Sequence, residues 1–406
     1  MRIWIVNYYT KPDCTNPRYN ELAKNFVVAG HEVLTFYANH NSEETAPLFQ
    51  RNKVNGLDYV EVKAPQFKGN GVARMKSIYG FAKILKKYCE EFERPDVVLH
   101  NIHPPFDYPV VKMAKKLGAK YIAEAWDLWP EDFVTFGLIS RKNPALKLAY
   151  AIEKKFYYAA DDIIFTFLGA FDYLKRQGWM KEQGGKIDPA HLHYINNGID
   201  LDEFNKNKVA YPREDADIND PNLTKIVYLG SINKANNVKT LIDAAALLQD
   251  KPNYRFFIYG NGTYRPELEQ YVKDNHIDNV VFKETRIPLE ECAWVVSQAT
   301  VNVMNYEKNF GWAGVSSGKM FQYLAAGKPI VCNIDIPYDN VIKDNNLGVC
   351  HDLETAEDFA MSIRSLIEQT KDEYDAMCER VREVAKRFDY KVLAALELKI
   401  IESLMA

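Results

Sequence analysis

The chain has 406 residues, of which 47% are hydrophobic and 26% charged, and carries a net charge of −4 at neutral pH. That length supports two domains with full cores, and the acidic balance gives no electrostatic footprint for nucleic acid. No apolar run reaches membrane-spanning length, the N-terminus lacks a leader pattern, and six scattered cysteines (Cys14, Cys89, Cys292, Cys332, Cys350, Cys378) have no metal or redox spacing, so a cytoplasmic protein with reduced thiols is expected.

Met1–Val6 opens the chain as a buried strand. Strand-like runs follow at Val33–Tyr37, Val97–Leu99, Tyr121–Ala123 and Asp162–Phe167, with helix-period segments at Arg18–Ala29, Val72–Phe92, Phe106–Leu117 and Pro144–Ala159. This alternation predicts a parallel sheet covered by helices on both faces, with ligands at the C-terminal ends of its strands. The loop after the first strand, Asn7–Pro17, has no glycine and so no dinucleotide fingerprint. Its Thr15 and Asn16, just ahead of a helix, suit an anion or a sugar, or simply a helix cap. Segment Ala64–Glu93 joins Lys68, Arg74, Lys76, Lys83, Lys86 and Lys87 to Phe67, Ile78, Tyr79, Phe81, Ile84 and Leu85. It reads either as a helix resting on an anionic membrane or as a solvated face over a core stripe.

Glu124–Asp132 follows a strand directly and holds four carboxylates and two tryptophans. Carboxylates accept hydroxyl hydrogens and indole faces stack on sugar C–H groups, so this is a sugar-binding candidate, with Asp127 expected to lie deepest. His100 with His103, and His191 with His193, lack the further ligands of a zinc site. Asp200-Leu201-Asp202 follows the turn Asn196-Asn197-Gly198 and reads as hinge chemistry rather than a metal pair.

The polar stretch Asn205–Asn222 marks a boundary. A second alternating series follows, with strands at Lys225–Leu229, Tyr254–Tyr259, Val280–Phe282, Thr300–Met304 and Pro329–Cys332. Gly230–Asn237 leads from strand to helix and offers Lys234 to an anion. Gly260-Asn261-Gly262 makes another tight turn, but residue 265 is Arg265 where a dinucleotide fingerprint has glycine. Gly311-Trp312-Ala313-Gly314 lets backbone approach a ligand closely. Ser316–Ile330 reads as loop, helix, stop and strand: Met320, Phe321, Leu324 and Ala325 form a buried stripe, Gly327 stops the helix, and Ser316, Lys319 and Gln322 share the other face. An anion would sit at this helix start beside Lys319. Ala313 and Met320 stand where a phosphate-binding NTPase loop needs glycine and a hydroxyl, which excludes that motif. A final amphipathic helix is expected at about Tyr390–Leu404.

Taken together, Ala29–Val33, Glu124–Glu131, Asn196–Asp200 with Phe204, Gly230–Asn237 with Leu241–Ala245, and Lys319–Pro329 resemble the GT-B glycosyltransferases of family 4, in the branch similar to bacterial O-antigen and capsule sugar transferases, including N-acetyl-fucosamine transferases. The resemblance implies an α/β fold of two doubly wound Rossmann-like domains facing a cleft. It places an acceptor domain at 1–198, a nucleotide-sugar domain at 199–388, and a helix at 389–406 packing back on the first. It implies a retaining transfer from a nucleoside diphosphate sugar, UDP favoured, to a lipid-linked or glycan acceptor, without metal or other cofactor, at the inner membrane face. Under it, Asp127, Lys319 and Lys234 are catalytic, and Gly230, Ser231, Lys234, Val315, Ser316, Ser317, Gly318 and Lys319 hold the diphosphate. Gly260, Arg286, Ile287 and Gln322 take the nucleoside, Trp126, Asp127 and Gly311–Gly314 the donor sugar, and Thr15, Asn16 and Arg74 the acceptor. The chain departs from the family pattern where Gly314 and Gln322 replace an acid pair, Ser231 an arginine, Asn236 a lysine and Trp126 a histidine. A sugar-nucleotide epimerase and a non-catalytic sugar-binding protein are the alternatives.

Overall fold

The computed structural model describes residues 1–406 other than Thr15, Glu44, Asn70, Asn309 and Phe310. The chain divides into two compact units, Met1–Asn196 with Tyr390–Ala406, and Asn197–Asp389.

The first unit is built on strands β1 (Arg2–Val6), β2 (Glu32–Asn39), β3 (Phe49–Val54), β4 (Leu57–Lys63), β5 (Val97–Asn101), β6 (Lys120–Ala125), β7 (Asp162–Phe165) and β8 (Leu192–Tyr194). They form one sheet in the order β3-β4-β2-β1-β5-β6-β7-β8, parallel except for β3. Central strands such as Val97–Asn101 are buried along their whole length, as expected where helices cover both faces. Edge strand β3 is mostly solvated. It joins β4 through Asn55-Gly56, both at positive φ, the two-residue turn whose twist matches that of paired strands. This hairpin is absent from the strands predicted above.

The closing helix Tyr390–Met405 lies in this unit. Tyr390, Leu393, Ala394, Leu398 and Ile401 recur at helical spacing and join Ile3, Ile5, Tyr19, Leu22 and Phe26 in one core. Glu397 sits in the same buried stripe. It is fully buried with Arg18 and Glu124: the Arg18 guanidinium donates to Glu124 Oε1 at 2.5 Å, to Glu397 Oε2 at 3.4 Å and to the Asn196 carbonyl at 2.7 Å.

The second unit carries β9 (Thr224–Leu229), β10 (Tyr254–Tyr259), β11 (Val280–Phe282), β12 (Val301–Met304), β13 (Ile330–Cys332) and β14 (Gly348–Cys350), all parallel, in the order β11-β10-β9-β12-β13-β14. The order reverses at β1/β5 in the first sheet and at β9/β12 in the second. These reversals are where loops diverge and leave a crevice at the strands' C-terminal ends. The helix expected after Ser317 runs Gly318–Ala326 and stops at Gly327, φ 66°. Met320, Phe321 and Leu324 are buried as predicted; Ala325 is only half-buried and Tyr323 fills the core in its place.

The stretch read as a polar linker is ordered structure. Asp200 caps the helix Leu201–Ala210, accepting from the Glu203 amide at 2.9 Å, so the D-x-D acid has a structural task. A short helix Ala216–Asn219 follows, capped by Asp215. All six cysteines are free, and among the described residues no helix is long and apolar enough to cross a membrane.

Candidate functional site

In the second unit the loops after β9, β10, β11 and β12 converge with the start of the Gly318–Ala326 helix. Two glycines lie at this convergence. At Gly230 a Cβ would stand 2.9 Å from Lys319 Cδ, so the lysine stem as placed here packs directly over the glycine, and a larger residue would shift it. Gly260, at φ +125°, would put a Cβ 1.9 Å from the Gly230 carbonyl oxygen. Both strain and space therefore require glycine there.

The Lys319 ammonium lies over the rings of Tyr228 and Tyr306, 4.8 and 4.7 Å from their centroids. It donates to Tyr228 Oη at 3.3 Å and to Asn236 Oδ1 at 3.2 Å. Among the described residues no carboxylate comes within ion-pairing distance of it. Burial pushes the ammonium down to about 8, while the recess stays open enough for the side chain to keep some exposure. A cation held by neutral groups beside a helix start, where the first amides have no partner within the helix, is an arrangement that favours an anion.

The other residues expected to bind diphosphate surround it unequally. Asn236, standing where the family pattern has lysine, is the residue that reaches Lys319, and it also donates to Ser231 Oγ at 3.0 Å. Lys234 lies exposed on a 3-10 turn, over the Tyr264 ring at 5.8 Å. Ser316 is tied to Asn197, whose amide donates to Ser316 Oγ at 3.3 Å and whose side chain donates to the Ser316 carbonyl at 3.1 Å. The Ser317 side chain caps no helix amide. Val315 and Ala313 are buried; Trp312 is half-buried. Gly311 and Gly314 close a tight turn, the Gly314 amide donating to Gly311 O at 2.8 Å.

Gln322, one turn beyond Lys319, has a buried Oε1 with no hydrogen-bond partner. It is an acceptor available to a ligand hydroxyl. Arg286 is exposed and Ile287 buried, on the loop after β11. That loop is pinned from two sides. Arg265 donates to the carbonyls of Gly260 at 2.5 Å and Lys283 at 2.7 Å, and Lys283 pairs with Asp215 and Asp217 at 2.9 and 2.8 Å. Arg213 pairs with Glu284 and Glu291. The segment read as linker is thus a strap on the loop assigned to the nucleoside. Arg213→Ala is expected to raise the donor KM several-fold with kcat nearly unchanged, as for loss of uniform binding, with partial rescue in Arg213→Lys; steady-state kinetics in donor concentration reads this out.

In the first unit the loops after β1, β5 and β6, with the start of the helix Val72–Tyr88, bring together Tyr9, Arg74, His103, Asp107, Asp127 and Trp129. Arg74 Nε donates to Tyr9 Oη at 2.8 Å. The His103 ring contacts Tyr9 at 5.4 Å and Trp129 at 5.3 Å between centroids. Asp107 accepts from His100 Nε2 at 3.1 Å, His103 Nδ1 at 3.0 Å and the His103 amide at 2.7 Å. Burial opposes the Asp107 charge, but the two imidazoles outweigh it and hold the carboxyl well below its usual range. The histidines dismissed as metal ligands are therefore oriented by a shared carboxylate. Tyr9 and Asp107 were not singled out in the sequence; the only local signal was Asp107 four residues after His103.

Three expectations change. Glu124, not Asp127, is the deepest acid: Glu124 is fully buried under Arg18, whereas the Asp127 side chain reaches solvent. The protein around Asp127 pushes its carboxyl up, against the pull of His103 and Arg74; with its side chain in water, Asp127 is recessed and wet rather than buried. Trp126 packs into the core on Tyr19, ring centroids 5.0 Å apart, and the tryptophan among the polar groups is Trp129. Asn16 is exposed and accepts from the Arg18 amide at 3.2 Å, a local cap; Thr15 lies outside the described residues.

Residues 213–387 match the family Glycosyl transferases group 1, and residues 18–203 match Glycosyltransferase Family 4. The probable glycosyltransferase WbjE of Pseudomonas aeruginosa is 25% identical over 271 residues, 64% of this chain and 64% of that protein's own length. Among solved structures, sucrose-phosphate synthase from Thermosynechococcus elongatus superposes with a TM-score of 0.74 at 17% identity, covering 100% of this chain and 99% of that one. Anabaena HepE, solved in complex with UDP and glucose, gives 0.66 at 14% identity, covering 99% and 100%. Both likenesses are of fold.

Proposed function

We propose that this chain, a glycosyltransferase of the GT-B fold, transfers a sugar with retention of configuration from a UDP-sugar to a lipid-linked acceptor in surface polysaccharide synthesis. The observation that carries the reading is Lys319: a recessed cation with no carboxylate partner, at a helix start, beside a glycine that makes way for it.

In the proposed reaction the bond between the sugar's anomeric carbon and the diphosphate breaks, its electron pair staying on the phosphate oxygen. Lys319 and the amides of Gly318 and Lys319 take up the charge that develops there, a contact stronger in the transition state than before it. The acceptor oxygen bonds to the anomeric carbon from the same face, and its proton passes to the departing phosphate oxygen. The diphosphate charge is thus met by protein groups, which supports a metal-independent transfer. Gln322 Oε1 accepts from a ribose hydroxyl, and the loop of Gly260, Arg286 and Ile287 lies along the nucleoside. UDP is favoured by the ligand of the HepE neighbour.

In the first unit, Arg74, His103 and Asp127 hold the polar part of the acceptor. The helix Val72–Tyr88 supports a place at the membrane's inner face: Lys76, Tyr79, Lys83, Lys86 and Lys87 are exposed on it and it contains no acid.

A thermal-shift series with UDP, GDP, ADP, NAD and ATP, each with and without EDTA, tests the donor reading. UDP at about 100 times its dissociation constant should stabilise the protein by about 2.7 kcal/mol, with or without EDTA. A shift with ATP or NAD alone would overturn it. Isomerised nucleotide sugar formed without acceptor would identify an epimerase instead.

A further inference from the structure

We infer that the acceptor's lipid is a long hydrocarbon chain whose first carbons lie along Trp129, Phe133, Phe136 and Leu138; this rests on the reading that the first unit holds the acceptor. The strip begins just after Asp127. Trp129 contacts Phe133 at 5.0 Å between centroids, Phe133 and Phe136 stand three apart across the one-turn helix Glu131–Thr135 and its C-cap, and the Leu138 amide folds back to donate to the Phe133 carbonyl at 2.8 Å. Phe136 is 49% and Leu138 72% exposed. From Phe133 to Ile139 the only side-chain hydrogen-bonding group is the Thr135 hydroxyl.

The strip's inner end is continuous with the polar cluster: Trp129 touches His103, His103 touches Tyr9, and Tyr9 carries Arg74. Arg74 in turn opens the basic helix Val72–Tyr88. Exposed Lys142 and Lys147 follow the strip in the chain. Polarity therefore runs in one direction, from a cation and a carboxylate to bare hydrocarbon, with lysines where an anionic bilayer would supply the rest of the chain. That order fits an amphiphile with a phosphate-and-sugar head. A glycan acceptor would need hydrogen-bonding groups along its length, and the strip has almost none.

The test uses the full chain with butyl, octyl and dodecyl phosphate, each below its micelle concentration, read by tryptophan fluorescence. A fully buried methylene is worth about fourfold in affinity, so even half-covered carbons should tighten binding at least tenfold from butyl to octyl. Phe136→Ser with Leu138→Ser should flatten that dependence, while the UDP-induced thermal shift persists as the control for folding and for the donor site. Affinity independent of chain length, or an equal slope in the double variant, would overturn the inference while leaving the donor reading intact; loss of the UDP shift in the unaltered protein would strike the donor reading alone. If the double variant loses only binding to phosphatidylglycerol vesicles and keeps the chain-length dependence, the strip docks on the bilayer and holds no acceptor chain.

Discussion

Lys319→Met should lower turnover by about 10²–10³-fold and make the protein harder to unfold. The loss follows from removing a charge that meets the leaving diphosphate. The gain follows from the same burial that makes the lysine useful. Burial brings its ammonium down to about 8 from an ordinary 10.5, so the folded state bears a cost on the order of 3 kcal/mol for holding the charged form. The Tyr228 and Tyr306 rings offset part of it. Because the folded value lies below the unfolded one, the cost is fully present below pH 8 and fades between about 8 and 10.5. Urea melts of the two proteins should therefore differ most at neutral pH and converge as pH rises through that window. UDP should bind the protonated lysine, so its dissociation constant should be flat below pH 8 and rise toward tenfold per pH unit above it, by calorimetry. Near-wild-type turnover in Lys319→Met would remove the clamp from the mechanism. The pairing of lost activity with gained stability is the signature of a site kept unsatisfied for its ligand.

Arg18→Met should destabilise the protein by about 3–5 kcal/mol, because it strands the Glu124 charge in the core. Glu397→Gln should be nearly neutral near pH 4 and stabilising at pH 7. The asymmetry arises because burial, and then the neighbouring Glu124, push Glu397 up to about 8, so near neutrality the folded state must keep a proton that the unfolded carboxyl has released, a cost that Gln escapes. A carboxyl whose folded value is raised binds its proton more tightly in the folded state. Its contribution is complete below about pH 4.5 and is lost as pH climbs toward 8. Denaturant melts across that range should show a decline in the wild type that Glu397→Gln flattens. If Arg18→Met costs less than about 1 kcal/mol, the triad is hydrated rather than dry.

The fold was readable because its evidence is local. The signals for alternating strands and helices, for the helix start before Lys319 and for its stop at Gly327 each lie within a few residues of one another. The Asn55-Gly56 hairpin was equally local and was passed over. What escaped depends on distance along the chain. Glu124 and Asp127 look alike in sequence; what separates them is Arg18, more than a hundred residues earlier, which draws one acid into the core. Tyr9, His103 and Trp129 meet only because β1, β5 and β6 end side by side. Asn205–Asn222 looked like a linker because its charges are satisfied by Glu284, Glu291 and Lys283, over sixty residues on. Composition reports such a segment as polar and says nothing of the partners waiting for it.

The helix Tyr390–Met405 imposes an order on biogenesis. It is translated after the whole of the second unit, yet it completes the core of the unit translated first. While the 193 residues from Asn197 to Asp389 emerge, at rates of about 5–20 residues per second, the surface of Tyr19, Leu22 and Phe26 stays uncapped for roughly 10–40 s. Through that interval Arg18 and Glu124 also lack their third partner. The nascent first unit therefore exposes apolar surface until this helix emerges, and a ribosome that stalls within Tyr390–Met405 leaves the N-terminal unit, not the C-terminal one, unfinished.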